Sequence, residues 1–314
     1  MKKSVAMATY NGEKYIIEQL DSIRRQTVKV DEVRIRDDKS VDNTVSLVNE
    51  YIKKHDLSPA WSIEVNEKNK GYASNFMTAV SETDGELIFF CDQDDIWFSD
   101  RIERMEKILE ENDKIMLLGS EFEAFSDSGD ALKIPGWEKK MMRHDNSVEK
   151  MEFTSNNIFI GCQGCTMAMR RELLDKALPY WYKGWAHDEF VWKMALCLDG
   201  LYMYHGDTLK RRCHANNASL NKMHNIDTRL KYTKNLLFSH KQTLEFAKSI
   251  GLDKRKIELL EKHIKATKLR IDLLESKRMS NAFPLAVKYN DCYHKKRAIL
   301  TEIVIAVKYS ANME

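Results

Sequence analysis

The sequence lacks a long apolar segment and is poor in proline and glycine. No apolar run approaches the ~20 residues that a helix needs to cross a bilayer, so we expect a soluble protein or one peripheral to a membrane. The start, MKKSVAMATYNG, has the charge of a secretory signal, but its apolar part is too short and runs into Asn11 and Glu13. With 4 prolines and 12 glycines in 314 residues, no segment has the composition of a flexible linker.

An excess of one charge is also missing, and the cysteines are sparse. Lys and Arg number 50 against 48 Asp and Glu, so there is no bulk field to attract nucleic acid. Six cysteines scattered along a long chain do not suit a disulfide-stabilised secreted domain, and we expect reduced thiols in a cytoplasmic protein. Cys162 and Cys165 form CQGC, but one such pair without finger-spaced histidines is weak support for zinc, and buried thiols are the simpler interpretation.

Short apolar runs alternate with helical patterns in the first part of the chain. Strands are predicted at SVAMAT, DEVRIRDD, WSIEV and ELIFF, and the first helix carries Ile16, Leu20 and Ile23 on one face. This alternation predicts an α/β fold with a mostly parallel sheet and helices on both faces. Ligands bind at the carboxyl ends of such strands. The polar segments that follow the strands should therefore form a site: ATYNG, RDDKS, NKGYAS and CDQDDIW.

The pattern changes beyond Lys114. We predict a strand at IMLLGSEFEAF, a surface loop over 126–150, a strand leading into a helix at GCTMAMRREL, and a helix at HDEFVWKMALCLDG. LYMYHGDTLKRRCH predicts a hairpin that turns at Gly206 and Asp207. From about Ile226 the chain is Lys-rich and helical, with a 3-4 apolar stripe from Ile257 to Leu274. The predicted division is an α/β domain at 1–222 and a helical extension at 223–314.

The segment CDQDDIW concentrates the carboxylates of Asp92, Asp94 and Asp95 after a strand that looks buried. Carboxylates two residues apart beyond a strand can hold a hard divalent cation, which prefers oxygen ligands and often shares them with substrate phosphates. The same letters also suit an Asp-rich start of the next helix, with Ser99 or Asp100 as its cap. Composition alone leaves the two interpretations about equal.

The motifs as a set resemble those of a known family. ATYNGEKYIIEQLDSIRRQT, RDDKSVDNT, NKGYASNF and CDQDDIWFSDRI occur in this order, followed by GWAHDEFVWKMAL and RRCHANNAS. This succession resembles family 2 glycosyltransferases of the GT-A fold, including the bacterial surface-polysaccharide and rhamnosyltransferase-like branch. The resemblance covers residues 1–220. It implies a Rossmann-like catalytic domain, with the helical extension outside the match.

The resemblance implies a site for a nucleotide-diphosphate sugar at the strand ends. Asp38 would accept a hydrogen bond from the ring of uracil or thymine, and Asp92 would face the ribose. A turn or helix-cap role is the alternative for Asp38, and a plain helix start is the alternative for Gly71 and Asn75. The residues implied in donor binding are Ala8, Thr9, Tyr10, Asp38, Gly71, Asn75, Asp92 and Gln93.

A divalent cation, Mn²⁺ or Mg²⁺, is the implied cofactor. Asp94 would ligate it, and Asp95 would orient the loop. His214 in RRCHANNAS would close over the diphosphate as a metal ligand or a phosphate donor, although a lone histidine is as often structural. Asn217 is a weaker candidate, and Arg211 and Arg212 add charge suited to phosphate.

The segment GWAHDEFVWKMAL resembles the His-Asp helix start of the rhamnosyltransferase-like branch, where the aspartate is the general base. That residue here is Asp188, with Glu189 as the alternative one position along. A helix-capping aspartate is the simpler interpretation of Asp188. The residues implied on the acceptor side are Trp185, His187 and Cys165.

The implied activity is that of an inverting, metal-dependent hexosyl- or deoxyhexosyltransferase. It would move a sugar from a UDP- or dTDP-sugar to a hydroxyl of a glycan or lipid-linked acceptor in bacterial surface-polysaccharide synthesis. The rival is a non-catalytic nucleotide-sugar-binding or scaffold protein of the same fold. Arg34, Arg36 and Lys39 depart from the family pattern, Lys39 standing where DDGS has glycine, and this leaves the identity of the base open.

The C-terminal segment HKKRAILTEIVIAVKYS puts a basic cluster before a short apolar stretch. It could lie on the anionic inner face of a membrane, near a lipid-linked acceptor. The alternative is a helix packed against the rest of the chain or against a dimer partner.

Overall fold

The computed structural model describes residues 1–127, 134, 136–139, 141–213, 225–295 and 297–311. The chain forms two compact units. One comprises Met1–Met151, Ile160–Leu178 and Tyr182–Ala215, and the other comprises Glu152–Phe159, Pro179–Trp181 and Asn216–Glu314. Among the described residues, no helix is both long and apolar enough to span a bilayer.

A nine-stranded sheet forms the first unit, in the order β3-β2-β1-β4-β8-β6-β9-β5, with β7 paired to β9. Its strands are β1 (Lys3–Thr9), β2 (Glu32–Asp37), β3 (Trp61–Val65), β4 (Leu87–Asp92), β5 (Ile96–Trp97), β6 (Leu117–Phe125), β7 (Val148–Lys150), β8 (Ala168–Arg170) and β9 (Leu201–Arg212). The pairs β1–β2, β1–β4, β2–β3 and β6–β9 are parallel and long, whereas the antiparallel pairs extend over two or three residues. The α/β class with a mostly parallel sheet is confirmed.

Helices cover both faces of this sheet. The helices of the unit are α1 (Ile16–Arg24), α2 (Thr44–Lys54), α3 (Tyr72–Ser81), α4 (Arg101–Glu111), α5 (Gly136–Lys139), α6 (Arg171–Ala177) and α7 (His187–Cys197). Side chains alternate along a strand, so Phe89 joins a core cluster with residues of α1, α2 and α4, while Phe90 faces Phe76 of α3 at a ring distance of 6.3 Å. The predicted buried face of α1, with Ile16, Leu20 and Ile23, is confirmed.

The predicted hairpin at Gly206 and Asp207 is wrong, because β9 is one continuous strand. Its register against β6 jumps at this point: Ser120 pairs with Tyr204, and Glu121 pairs with Asp207. Glycine inside a strand often marks such a bulge, and here a Cβ on Gly206 would lie 2.3 Å from the Tyr204 ring. Glycine followed by Asp therefore marks a bulge and not a turn.

The polar segment 126–150 is not all loop. It contains the short helix α5 and the strand β7, which pairs with β9 from Val148 to Lys150. The two-residue strand β5 also pairs with β9, through Ile96 and Trp97. Neither short strand has enough residues to show a period-2 pattern in the sequence.

The second unit is built from α8 (Ile226–Ser249), α9 (Lys254–Glu275), α10 (Ala282–Val287) and α11 (Arg297–Ala311). The predicted stripe on α9 is rotated: Leu260, Thr267 and Leu274 are buried, but the isoleucines between them are half-buried. The buried face includes Arg270, which forms a buried ion pair with Glu302 of α11 at 2.7 Å. A prediction from apolar residues alone misses this face, because the face contains Arg270, whose charge is neutralised in the interior of the unit.

Candidate active site

The carboxyl ends of β1, β2 and β4 bring the predicted polar segments to one edge of the sheet. Thr9 pairs in register with Asp37 of β2, and Ala8 pairs with Asp92 of β4. The buried Thr9 hydroxyl donates to an Asp37 carboxylate oxygen at 2.8 Å and so fastens the two strand ends. Ala8 is half-buried and Tyr10 is 48% exposed, so these two residues of the segment are accessible to a ligand.

Asp38 is buried and holds the loop that follows β3. One carboxylate oxygen accepts from the backbone N–H of Lys70 at 2.7 Å and from the Asn66 amide at 2.9 Å, and the other accepts from the N–H of Gly71 at 2.8 Å. A carboxylate has about four acceptor positions, and the described residues fill three of these. The geometry suits both a loop-anchoring role and the expected contact with a pyrimidine ring.

Gly71 and Asn75 fix the start of α3. Gly71 has φ 83° and ψ 153°, a region that is essentially restricted to glycine. The Asn75 side chain is buried; its amide donates to the backbone oxygens of Arg36 at 2.7 Å and Thr9 at 3.3 Å, and its oxygen accepts from Asn66 at 2.8 Å. Asn75 therefore joins the helix to two strand ends, and it shapes the expected donor site from within the fold.

Gln93 connects the aspartate segment to the loop after β1. Its oxygen accepts from the backbone N–H of Tyr10 at 2.8 Å, and its nitrogen donates to the Tyr10 backbone oxygen at 3.1 Å. Gly12 permits this arrangement, because a Cβ there would lie 2.4 Å from the Gln93 oxygen. The predicted donor residue Gln93 thus positions Tyr10, which is exposed at the same edge.

The ligand atoms of Asp92, Asp95 and Cys165 all lie within 4.8 Å of one another. Burial and the charges of Asp95 and Asp94 raise the pKa of Asp92 well above its ordinary range, and burial and Asp94 raise the pKa of Asp95 to about 6. Burial also raises the pKa of the Cys165 thiol, so the sulfur stays protonated beside Asp95. A bound cation would stabilise the ionised forms of these crowded carboxylates.

The helix-cap interpretation of this segment does not account for its carboxylates. Asp100 is the N-cap residue of α4, but its side chain makes no cap hydrogen bond and instead accepts from Arg104 at 2.8 Å. Trp97 is buried, and the Arg101 guanidinium lies 4.5 Å from its ring centroid. Helix capping by Asp100 therefore does not explain this segment.

Asp188 lies in the first turn of α7, after the N-cap residue Ala186. Its Oδ1 accepts from the backbone N–H of Glu189 at 2.8 Å. Burial raises the pKa of Asp188 to about 6, and the Glu189 charge adds to this. A carboxylate with this pKa is ionised at neutral pH and can accept a proton from a hydroxyl in a transition state. Asp188 is not the helix cap.

Two consecutive residues, Gly164 and Cys165, connect Asp188 to the aspartate segment. A Cβ on Gly164 would lie 3.1 Å from the Asp188 Cβ and 2.8 Å from the His187 Nε2, so the chain passes close against the start of α7. Cys165 lies beside Asp92, as described above. The charge of Asp188 also raises the pKa of Asp92, so the predicted base and the aspartate segment lie near each other, and the glycine is required for the close approach to α7.

His187 is a packing residue. Its ring stacks on Phe76 at 3.9 Å and meets the edge of Phe90 at 5.5 Å. Among the described residues neither ring nitrogen has a hydrogen-bond partner, and burial lowers the pKa of His187 to about 3. The ring is neutral at physiological pH, and it fixes the position of Asp188 next to it.

Glu189 and Trp185 both make contacts within the fold. Glu189 accepts from the ammonium of Lys193, whose side chain is 1% exposed, so its carboxylate neutralises a buried charge. Trp185 is buried, stacked on Tyr182 at 5.3 Å and in edge contact with Phe190. Asp188 is left as the better placed of the two carboxylates for proton transfer.

Comparison with known proteins identifies the family. Residues 4–178 match the family described as Glycosyl transferase family 2. The chain belongs to the family 2 glycosyltransferases. The match includes every strand-end segment described above and ends before α7, so Asp188 lies beyond it.

Relatives of this glycosyltransferase include sugar transferases of several bacteria. An uncharacterized glycosyltransferase of Haemophilus influenzae is 29% identical over 224 residues, 69% of this chain and 67% of its own length. The dTDP-rhamnosyl transferase RfbG of Shigella flexneri is 40% identical over 99 residues, 31% of this chain and 34% of its own length. The poly(ribitol-phosphate) β-N-acetylglucosaminyltransferase TarS of Staphylococcus aureus is 33% identical over 120 residues, 38% of this chain but only 20% of its own length.

Solved structures confirm the GT-A fold of this glycosyltransferase. Residues 1–349 of S. aureus TarS in complex with UDP-GlcNAc superpose with a TM-score of 0.65 at 16% identity, covering 99% of this chain and 92% of that one. A mannosyltransferase of Pyrobaculum calidifontis in complex with GDP-Man and Mn²⁺ gives a TM-score of 0.56 at 18% identity, covering 100% and 88%.

The departures from the family pattern have physical explanations. Lys39 has φ 68°, the left-handed region that explains why glycine is customary there. Arg34 pairs with Glu32 at 2.7 Å, and Arg36 pairs with Glu82 at 2.9 Å. These arginines are neutralised by acids outside the donor edge, and so they do not exclude a uracil or thymine base.

The sequence did not predict that Arg212 holds the aspartate segment of this glycosyltransferase in place. The backbone N–H of Arg212 donates to Asp95 at 3.1 Å, and its Nε donates to the Asp94 backbone oxygen at 2.8 Å. Its guanidinium also pairs with Glu18 and Asp127. The charge of Arg212 is therefore paired with carboxylates of the fold, and its role toward phosphate stays a prediction. His214 and Asn217 lie outside the described residues.

Proposed function

We propose that the protein transfers a sugar, with inversion, from a UDP- or dTDP-sugar to a hydroxyl of a glycan or lipid-linked acceptor in bacterial surface-polysaccharide synthesis. The observation that carries the proposal is the placement of Asp188 and the Asp92–Asp95 segment against the consecutive residues Gly164 and Cys165. These contacts bring a candidate base and a candidate diphosphate site close together. The complex of TarS with UDP-GlcNAc and the name of RfbG, a dTDP-rhamnosyl transferase, support the donor class.

Asp188 accepts the proton of the acceptor hydroxyl. The hydroxyl oxygen forms a bond to the anomeric carbon from the face opposite the diphosphate, the bond between that carbon and the diphosphate oxygen breaks, and its electron pair leaves with the nucleoside diphosphate. One displacement inverts the anomeric centre and needs one base. Glu189 is the less suitable base because it pairs with Lys193.

The residues of the aspartate segment fit a divalent cation. Asp92 and Asp94 are half-buried and supply hard oxygen donors, whereas Asp95 is buried and held by Arg212. We assign Asp94 as a ligand, Asp92 to the ribose side, and Asp95 to loop position. Bound there, Mn²⁺ or Mg²⁺ would stabilise the negative charge that develops on the departing diphosphate.

The donor site extends over the adjacent strand ends. Ala8 and Tyr10 contact the nucleotide, and Asp38 accepts from the pyrimidine ring through its remaining acceptor position. Gly71 brings backbone close to the base, while Thr9, Asn75 and Gln93 support these residues from within the fold. Arg211 is buried near Asp92, and its charge partly offsets the burial and acidic neighbours that raise the pKa of Asp92.

The test is a screen of UDP- and dTDP-sugars for release of the nucleoside diphosphate, with Mn²⁺, with Mg²⁺ and with EDTA. We expect release with one donor class, loss of release in EDTA, and recovery when the cation is restored. Asp94→Asn should weaken the response to cation with the fold intact. Nucleotide binding without turnover under every condition would favour the non-catalytic alternative, and release that EDTA leaves unchanged would overturn the role of the cation.

A further inference from the structure

The C-terminal helices α10 and α11 of the second unit expose apolar side chains on the faces turned away from their own core. On α11, Ile299, Glu302 and Ala306 are buried, while Leu300, Val304 and Val307 are 67%, 50% and 50% exposed. The exposed residues follow 4-3 spacing, so they form a stripe along one face of the helix. Helices that are apolar all round are normally covered on all sides, and this stripe therefore needs a covering surface.

The helix α10 adds to the same kind of surface. Phe283 is 75% exposed and Val287 is 62% exposed, one turn apart, whereas Leu285 between them points into the cluster that α10 shares with α11. A phenylalanine exposed to this degree is unusual on a soluble surface that binds nothing.

Basic residues outnumber acidic ones in this part of the sequence. Residues 277–311 contain seven Lys and Arg against two acids, Asp291 and Glu302. Both acids are neutralised within the unit: Asp291 accepts from Lys262 at 2.7 Å, and the fully buried Glu302 accepts from Arg270 at 2.7 Å. Among the described residues, Lys288 after α10 and Arg297 at the start of α11 are exposed, so the outward surface of these helices carries apolar and basic side chains.

We propose that α10 and α11 dock on an anionic lipid bilayer, with Phe283, Val287, Leu300, Val304 and Val307 in the interfacial layer and the flanking basic residues against lipid headgroups. Apolar side chains on an outward helical face with Lys and Arg beside them are the combination that interfacial helices use. A second copy of the chain fits less well, because a two-fold interface would bring the same basic surface against itself. The proposal is independent of which sugar the enzyme transfers.

The test is flotation of the full-length protein with phosphatidylcholine vesicles that contain or lack phosphatidylglycerol, an anionic lipid. We expect binding only to the anionic vesicles, and weaker binding as salt rises. The double variant Leu300→Gln/Val304→Gln should bind at least ~10-fold more weakly, and Lys288→Glu/Arg297→Glu should lose a similar factor. Val148→Gln, a change at an exposed valine of the first unit, is the matched control and should bind as the wild type does.

Thermal unfolding of each variant checks that the fold is retained, which is expected because the substituted side chains are exposed. Light scattering of the free protein shows whether a second copy of the chain covers this surface instead. The proposal would be overturned if the wild-type protein bound neither vesicle type. It would also be overturned if the wild-type protein were a dimer that Leu300→Gln/Val304→Gln converts to a monomer. Equal binding of the double variant and Val148→Gln would do the same.

Discussion

Replacement of Asp188 by asparagine should abolish turnover and, at the same time, stabilise the protein. Burial raises the pKa of Asp188 from an ordinary value of 3.8 to about 6. One pKa unit corresponds to about 1.4 kcal/mol, so ionised Asp188 costs the folded state on the order of 3 kcal/mol. Asparagine has nearly the same shape, carries no charge, and keeps an oxygen that can accept from the Glu189 N–H.

The sign of the pH dependence follows from this raised pKa. Below about pH 4 Asp188 is protonated in both the folded and the unfolded chain, and its charge costs nothing. Between 3.8 and about 6 the unfolded chain loses this proton first, so the contribution of Asp188 to stability falls as pH rises and levels off above about pH 6. Asp188→Asn should therefore raise the free energy of unfolding by about 1–3 kcal/mol at pH 8, and by much less at pH 4.

The effect on turnover is the opposite. A positioned general base contributes about 10²–10⁴-fold, so Asp188→Asn should lower kcat by at least ~100-fold with little change in the Kd for UDP or dTDP. Wild-type kcat should rise with pH and level off above about pH 6, where Asp188 is ionised. Denaturation at pH 4 and pH 8, titration calorimetry and diphosphate release are the assays. An Asp188→Asn protein that keeps turnover within tenfold of wild type, or that is less stable than wild type at pH 8, would refute the reasoning.

Three further substitutions test residues that position the candidate active site. Gly164→Ala places a Cβ 2.8 Å from the His187 Nε2 and should cost about 1–3 kcal/mol of stability and about 10–100-fold in kcat; unchanged kinetics would show that Asp188 is not held through this contact. Glu189→Gln removes the carboxylate charge that neutralises the buried Lys193 ammonium and should lower stability by about 3 kcal/mol, seen as a Tm lower by several degrees. If kcat instead falls as far as in Asp188→Asn while the Tm stays the same, Glu189 is the base. Gly71→Ala puts a side chain at φ 83° and ψ 153° and should cost about 1–3 kcal/mol and weaken UDP or dTDP binding in calorimetry, a result that unaltered affinity would contradict.

The first half of the fold could be predicted from the sequence because its elements are long enough to show a period. The strand β1 and the helix α1 have the apolar spacing of buried elements, and Ile16, Leu20 and Ile23 are buried as the spacing predicts. The strands β5 and β7 have two and three residues, too few for any pattern. The residues Gly206-Asp207 carry a strong turn signal, and only the register of β9 against β6 shows the bulge.

The candidate site was predictable where its residues carry family motifs and unpredictable where they act over long sequence separations. The strand-end residues Asp38 and Asp92 lie at one edge as predicted, since parallel strands end together. Arg212 lies more than one hundred residues from Asp94 in sequence, and a sequence pattern offers no reason to pair them. Charged residues in a pattern are normally assigned to the surface, so the buried roles of Arg212 and Lys193 were hidden.

The features that favour an enzyme over a scaffold are the ones that cost stability. The half-buried Asp188 resists ionisation, the carboxylates of Asp92 and Asp95 repel each other, and Gly71 adopts a conformation open only to glycine. A protein that only bound a nucleotide sugar would gain nothing from the raised pKa of Asp188, whereas a general base is most effective when its pKa lies near the operating pH. The loss of stability at these positions is therefore best explained by the chemical step. The pH-dependent increase in the free energy of unfolding of Asp188→Asn measures the size of this loss at Asp188.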